Sequence, residues 1–331
     1  MKKTLLLFGL FLLLLSSCRN KEAQLVKFDG KALGTFYTVS YYDIEGRNMK
    51  GSLDSLFDVF NHVLSVYDST SLISMLNRNA LFTPHEWFTE VFNVSKEIYD
   101  ATSGAFDPSV GPLVNAWGFG FTDAESMTQE KVDSLLGFVG FNRLQITDGF
   151  VVKEDPRITL DFNAIAKGYC SDIAALYLES MGIDTYLIEI GGEIASKGHK
   201  PDGSPWKVGI ERPSDNATDA QQVMQVIHIS GKSLATSGNY RRYYEKDGKR
   251  YSHTIDPSTG YPAENDLMSV TVIADRCIVA DAYATAFMVM GTEKAMAFAS
   301  ERRDIEAYFI STDAKGDLKI SFTEGFGAYL E

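Results

Sequence analysis

With 331 residues, 45% of them apolar and 12% aromatic, and no low-complexity tract or internal repeat, the chain can bury a large core as one domain or two intimate halves. Its 44 acidic and 31 basic residues leave a formal net charge of -13. With no basic cluster interleaved with aromatics, that balance excludes nucleic acid as a partner.

The first segment combines Lys2 and Lys3 with an apolar run from Leu5 to Leu15 and then Ser16 and Ser17. The run is too short to span a bilayer and reads as a secretion signal over residues 1–17. Leu15-Ser16-Ser17-Cys18 resembles the lipobox of bacterial lipoproteins. That resemblance implies that Cys18 becomes a lipidated first residue, anchoring the chain in the bacterial cell envelope, facing the periplasm or the exterior; an ordinary signal with an incidental cysteine is the alternative. Residues 18–25 then form the lipidated end and a short tether, and residues 26–331 the folded part.

Lys31 to Tyr42 alternates and is rich in Thr, Tyr, Val and Phe, which predicts a strand entered through Gly30 and Gly34. Leu53, Phe57, Phe60 and Leu64 follow helical spacing. Thr83, Pro84 and Glu86 match an N-cap, first turn and capping box of a helix running to Ala101 and stopping at Gly104. Val132 to Val139 marks a short helix, and strands follow near 144–146, 150–153 and 158–162. In the last of these Ile158, Leu160 and Phe162 share one face, so Asp161 points away from it where a helix begins at Ala164. Further strands are expected at Tyr186 to Ile190, Trp206 to Glu211, Val223 to Ile229 and Ser269 to Ala274. Helices Cys277 to Met290 and Glu293 to Glu301 come next, then strands near 307–310 and 318–322. The pattern is α+β, with mixed, largely antiparallel sheets and packed helices, and lacks the βαβ rhythm of a dinucleotide fold.

Beyond Cys18 only Cys170 and Cys277 remain, and the five histidines show no paired ligand spacing. A structural zinc site is excluded on that pattern, and any metal should be held by oxygens. The two cysteines read as buried free thiols, with a disulfide as the alternative.

Between Cys277 and Gly291 the only charged side chain is Asp281. A lone carboxylate in an apolar helix needs a cation or a proton. Thr285 lies one turn along the same face, so the pair can aim two oxygens at a hard metal ion. Against this, Thr285 can bond back to the carbonyl of residue 281 while Asp281 caps a loop. Asp161 and Lys167 read as an ion pair at a helix start or as groups facing a phosphate. His253 precedes the turn Asp256-Pro257-Ser258-Thr259-Gly260, which is either architectural or a rigid loop presenting His253 and Ile255 to a ligand.

In order along the chain stand Gly34-Thr35-Phe36-Tyr37, Gly104-Ala105-Phe106-Asp107-Pro108, Asp161-Phe162-Asn163-Ala164-Ile165-Ala166-Lys167-Gly168 and Gly191-Gly192-Glu193. Thr236-Ser237-Gly238-Asn239-Tyr240, His253-Thr254-Ile255-Asp256-Pro257 and Ala280-Asp281-Ala282-Tyr283-Ala284-Thr285 complete the series. Together they resemble the motifs of the ApbE family of FAD:protein FMN transferases, from about Lys31 to Val289. The resemblance implies a single catalytic domain related to the T-fold. It implies Mg²⁺ held by the Ala164 carbonyl, Asp281 and Thr285, with Asp281 and His253 at the reacting centre. It also implies FAD, the substrate, contacted by Leu33, Tyr67, Ala105, Phe106, Asp107, Asp161, Lys167 and Ile255.

Leu33 stands where the family usually has Met, an apolar swap that preserves packing. Ala284 stands where some members have a polar or acidic residue, which leaves more of the metal's coordination to water or phosphate. The implied reaction moves FMN from FAD to a threonine of an acceptor flavoprotein, such as a subunit of a membrane electron-transfer complex, and releases AMP. Metal-dependent hydrolysis of FAD to FMN and AMP, or flavin carriage without turnover, are the rival functions.

Overall fold

The computed structural model describes residues 22–120, 125–214, 222–239, 243–246 and 249–331. The signal segment, Cys18 and residues 19–21 lie outside the described residues, as does Tyr240, whereas Gln24 and Leu25, expected in the tether, already belong to the first strand of the fold. Among the described residues no helix is long and apolar enough to cross a membrane.

The frame is one antiparallel sheet of eight strands in the order β1-β2-β5-β6-β9-β12-β13-β14. Its members are β1 (Gln24–Ala32), β2 (Thr35–Asp43), β5 (Tyr186–Ile190), β6 (Glu193–Lys197), β9 (Ser233–Gly238), β12 (Leu267–Ala274), β13 (Ile305–Thr312) and β14 (Leu318–Phe322). Alternation sets its two faces. Tyr37, Val39 and Tyr41 of β2 are buried beneath the helices, while Tyr42 joins the opposite face with Ile194, Trp206, Leu234 and Ile310. The hairpin β7 (Trp206–Glu211) and β8 (Val223–Ile229) covers that second face. Two further hairpins, β3 (Leu144–Thr147) with β4 (Phe150–Lys153) and β10 (Tyr243–Lys246) with β11 (Lys249–Ser252), stand apart from the main sheet.

The helices are α1 (Lys50–Leu64), α2 (Leu72–Asn77), α3 (Glu86–Ala101), α4 (Gly111–Ala116), α5 (Gln129–Leu136), α6 (Ala166–Ser180), α7 (Cys277–Met290) and α8 (Thr292–Ser300). α7 is buried on nearly all sides, as its unbroken apolar sequence requires. It packs beside α6 on the sheet, over β9 and β12, with α3 and α8 against it as well, so Asp281 is buried.

Four local expectations change. The strand read from Lys31 to Tyr42 is a hairpin: β1 and β2 join through Leu33 and Gly34, with φ of 51° and 72°, the left-handed geometry of a two-residue turn. Helix α3 starts at Glu86, because the His85 ring nitrogen takes the Trp87 N–H at 3.2 Å and does the capping expected of Thr83. The segment 158–162 belongs to no ladder. The Asn77 side chain supplies its partners instead, donating to the Leu160 carbonyl at 2.8 Å and accepting its N–H at 2.7 Å. The alternation still holds, with Ile158, Leu160 and Phe162 buried. Finally, α6 begins at Ala166 rather than Ala164. Cys170 and Cys277 are buried free thiols.

Candidate active site

Helices α6 and α7 meet at Gly168. A Cβ there would lie 2.5 Å from the Cys277 carbonyl oxygen and 2.7 Å from Asp281 Cβ, so only glycine permits this approach. The contact lets Asp281 Oδ2 accept the Gly168 N–H at 2.9 Å, filling one of the donors that a helix start leaves open. Four residues further along α6, Asp172 accepts the N–H groups of Cys277 and Ile278 at 2.8 and 2.9 Å. Residue 168 thus stands opposite 281 and residue 172 opposite 277, so the helices run antiparallel. Carried one turn further, this register brings Thr285 level with the chain entering α6, at Ala164 and Ile165.

Lys167, on the first turn of α6, pairs with the carboxylate of buried Glu193 at the start of β6. The sharp β5–β6 turn makes room for it. Gly191 has φ of 65°, donates its N–H to the Phe36 carbonyl at 3.0 Å, and would bring a Cβ within 2.8 Å of the Thr35 methyl and 3.3 Å of Lys167 Cδ. Burial opposes the Lys167 charge, but attraction to Glu193 and Asp281 outweighs it and holds the ammonium above its ordinary pKa. Burial raises the carboxyl groups of Glu193 and Asp281, with Lys167 pulling both down. Two carboxylates around one ammonium leave the cluster a net negative charge when all are ionised.

A second group lies where the loop before α4 meets the segment before α6. The Asp161 N–H donates to the Pro108 carbonyl at 2.8 Å, and the Asp161 carboxylate accepts from Asn163 N and Nδ2 at 2.8 and 3.1 Å. Buried Asp107 accepts from Ser109 N, Ser109 Oγ and Phe141 N at 2.7, 2.6 and 3.3 Å. Burial raises both Asp107 and Asp161 against these bonds. Phe106 is buried and Ala105 partly so.

Ile255 stands in a separate apolar cluster with Leu113 and Trp117. The Trp117 ring N–H reaches the Gly260 carbonyl at 2.8 Å, and the His253 ring meets Phe119 edge-on at 6.4 Å. Leu33 forms the β1–β2 turn and packs on the core, whereas Tyr67 lies beyond α1 and is 64% exposed.

The residues expected at a Mg²⁺ site fit that ion. Asp281 Oδ1 and the half-buried Thr285 hydroxyl make no hydrogen bond with the described residues, and Glu193 Oε2 is buried without a partner. Oxygen donors in a cluster of negative charge suit a hard cation. No group of three or more His, Cys, Asp or Glu side chains is gathered for a metal among the described residues. That sparse set suits Mg²⁺, which keeps waters and binds substrate phosphates.

The ApbE family model matches residues 33–309. The chain belongs to the ApbE family. A relative from Vibrio cholerae, named FAD:protein FMN transferase, is 39% identical over 311 residues, covering 91% of this chain and 92% of that protein. The Escherichia coli protein of the same name is 34% identical over 324 residues, covering 94% and 91%. Among solved structures, the Vibrio cholerae flavin transferase ApbE superposes with a TM-score of 0.83 at 35% identity, covering 93% of this chain and 100% of that one. Pseudomonas stutzeri flavinyl transferase ApbE in its apo form gives 0.82 at 33% identity, covering 93% and 98%.

Two of the alternatives left open by the sequence, an Asp161–Lys167 ion pair and a Thr285 hydroxyl bonded back to residue 281, are not formed among the described residues of this ApbE-family site. Lys167 pairs with Glu193, while Asp161 is held by Asn163. The sequence reading names Glu193 only within the Gly191-Gly192-Glu193 motif, with no role of its own, and does not name Asp172. Glu193 had a signal, an acid directly after Gly191-Gly192 at a strand end. Asp172 had none, since an acid in mid-helix is ordinary.

Proposed function

We propose that this chain transfers the FMN portion of FAD to a threonine hydroxyl of an acceptor protein, with Mg²⁺ required and AMP released. The observation that supports this most is the Lys167–Glu193–Asp281 cluster, its two carboxyl groups buried and Lys167 half-buried, beside the unengaged oxygens of Asp281 and Thr285. The naming of its ApbE relatives supplies the reaction class.

Asp281, Thr285 and the Ala164 carbonyl would hold Mg²⁺, which when bound neutralises charge on the diphosphate oxygens of FAD. Lys167, steadied by Glu193, adds positive charge at the same place, and the start of α6 adds N–H groups that favour an anion. Leu33, Tyr67, Ala105, Phe106, Asp107, Asp161 and Ile255 are the expected contacts to the rest of FAD. The threonine Oγ attacks the FMN-side phosphorus. As the new O–P bond forms, the bond from that phosphorus to the bridging oxygen breaks, and AMP departs with that oxygen. His253 would accept the threonine proton. Asp256 is the weaker choice, because its carboxylate already accepts Ser258 N and Oγ at 2.8 and 2.7 Å. Such a reaction asks for positioning and charge neutralisation above all. The acceptor is read as a flavoprotein subunit of a membrane electron-transfer complex, met at the cell envelope where Cys18 would anchor the chain.

The test incubates the chain lacking its signal and Cys18 with FAD, Mg²⁺ and a peptide bearing an acceptor threonine, reading covalent flavin fluorescence on a denaturing gel. Asp281→Ala should abolish labelling with the fold intact, and full activity in that variant would sink the metal assignment. His253→Ala should lower kcat far more than FAD affinity; the opposite pattern makes His253 a binding residue only.

A further inference from the structure

Neither α6 nor α7 supplies its own N-cap side chain. Each instead receives a carboxylate from the other: Asp281 of α7 takes the Gly168 N–H of α6, and Asp172 of α6 takes the Cys277 and Ile278 N–H groups of α7. Gly168 and Asp172 are four residues apart, as are Cys277 and Asp281, so each pair lies one turn apart on a contact face. The helices touch tightly between these caps, at Gly168 and Cys277. Sliding either helix along the other breaks three hydrogen bonds at once. Asp281 and Thr285 are carried on α7, and Lys167 and the Ala164 carbonyl belong to α6 and its entry. The relative position of the two donor sets is therefore the axial register of the helices.

We infer that Asp172 is a positioning residue for the metal-holding oxygens: by capping α7 it fixes the depth at which Asp281 and Thr285 stand against the start of α6. This rests on the reading of Asp281 and Thr285 as the metal pair. Asp172 touches none of those oxygens and acts through the α7 backbone, where two N–H groups grip one carboxylate and set both axial position and rotation. Its other side lines a cavity of about 690 Å³ with Trp87, Tyr169, Ile173 and Arg276. Water can enter there and solvate the freed N–H groups when the carboxylate is removed. An Asp172→Ala chain should then fold while its α7 register loosens.

The probe is Mn²⁺, with binding followed by electron paramagnetic resonance and calorimetry in the full soluble chain without FAD. Asp172→Ala should weaken Mn²⁺ binding by about 10–100-fold, the range of supporting groups around a metal site. Asp172→Asn keeps one acceptor oxygen and should fall between it and wild type. Thr323→Ala, which removes a hydroxyl that accepts the Ala307 N–H at 3.0 Å in another part of the fold, should lower Tm and leave Mn²⁺ affinity unchanged.

Should Asp172 variants lose thermal stability as Thr323→Ala does while binding Mn²⁺ like wild type, the positioning role is overturned and Asp172 is a structural cap only. Should Asp281→Ala also bind Mn²⁺ like wild type, the metal assignment itself has failed, a different result. If Asp172→Ala yields no folded protein, Asp172→Asn decides: unchanged affinity refutes the inference, and a graded loss supports it.

Discussion

Substituting Gly168 by alanine tests the helix contact on which the site depends. The added Cβ would sit 2.5 Å from the Cys277 carbonyl oxygen, whereas ordinary contact begins near 3.4 Å, so α6 and α7 must part by about 0.9 Å. The 2.9 Å bond from Gly168 N–H to Asp281 would then stretch to about 3.8 Å, beyond hydrogen-bond range. Overpacking costs about 1–3 kcal/mol. Loss of an N–H bond to a charged acceptor costs about 1.5–3 kcal/mol more, and the better helix propensity of alanine returns about 1 kcal/mol. The net loss is about 3 kcal/mol, a fall in Tm of roughly 4–5 °C in a chain of this size. Calorimetric unfolding with and without Mg²⁺ reads both consequences: the Tm falls, and the stabilisation by Mg²⁺ shrinks. Gly51, in α1 with nothing within 4 Å of its added Cβ, is the control, and Gly51→Ala should be neutral or gain up to about 1 kcal/mol. A Gly168→Ala chain with wild-type Tm and wild-type Mg²⁺ response would refute the reasoning.

Asp107 gives a pH prediction. Burial raises its folded-state pKa above the ordinary 3.8, so its contribution to stability is fully present below 3.8 and is lost as pH rises through the raised folded value. Relative to Asp107→Asn, the wild type should gain stability on acidification across that window; a pH-independent difference in denaturation midpoint would contradict the assignment. Leu33 is a non-glycine residue at φ 51°, a conformation that costs a side chain roughly 1–2 kcal/mol. In Leu33→Gly the relief offsets the lost packing, so Tm should stay close to wild type while the KM for FAD rises; an unchanged KM removes Leu33 from the FAD site.

Much of this arrangement was legible because it is local. Asp281 and Thr285 stood out as a lone charge and a hydroxyl one turn apart in an apolar helix, and that helix spans Cys277–Met290 as its periodicity requires. What stayed hidden is long-range. The segment 158–162 alternates like a strand, but its backbone partner is Asn77, 83 residues from Leu160. No periodicity signals such a side chain. β1 escaped as an edge strand with mostly exposed residues, which gives alternation little to report. Glu193 looked like part of a glycine turn, and its role appears only when the turn folds over Lys167. Asp172 carries no signal in the sequence, because the N–H groups it caps lie 105 and 106 residues away.

The central claim is that this site moves FMN onto threonine, and the intact mass of an acceptor peptide after incubation with the chain, FAD and Mg²⁺ tests it most directly, with AMP quantified in the same sample. The account predicts one FMN added at the threonine and one AMP released for each peptide modified. AMP and free FMN with the peptide unmodified would contradict it and make the site a hydrolase.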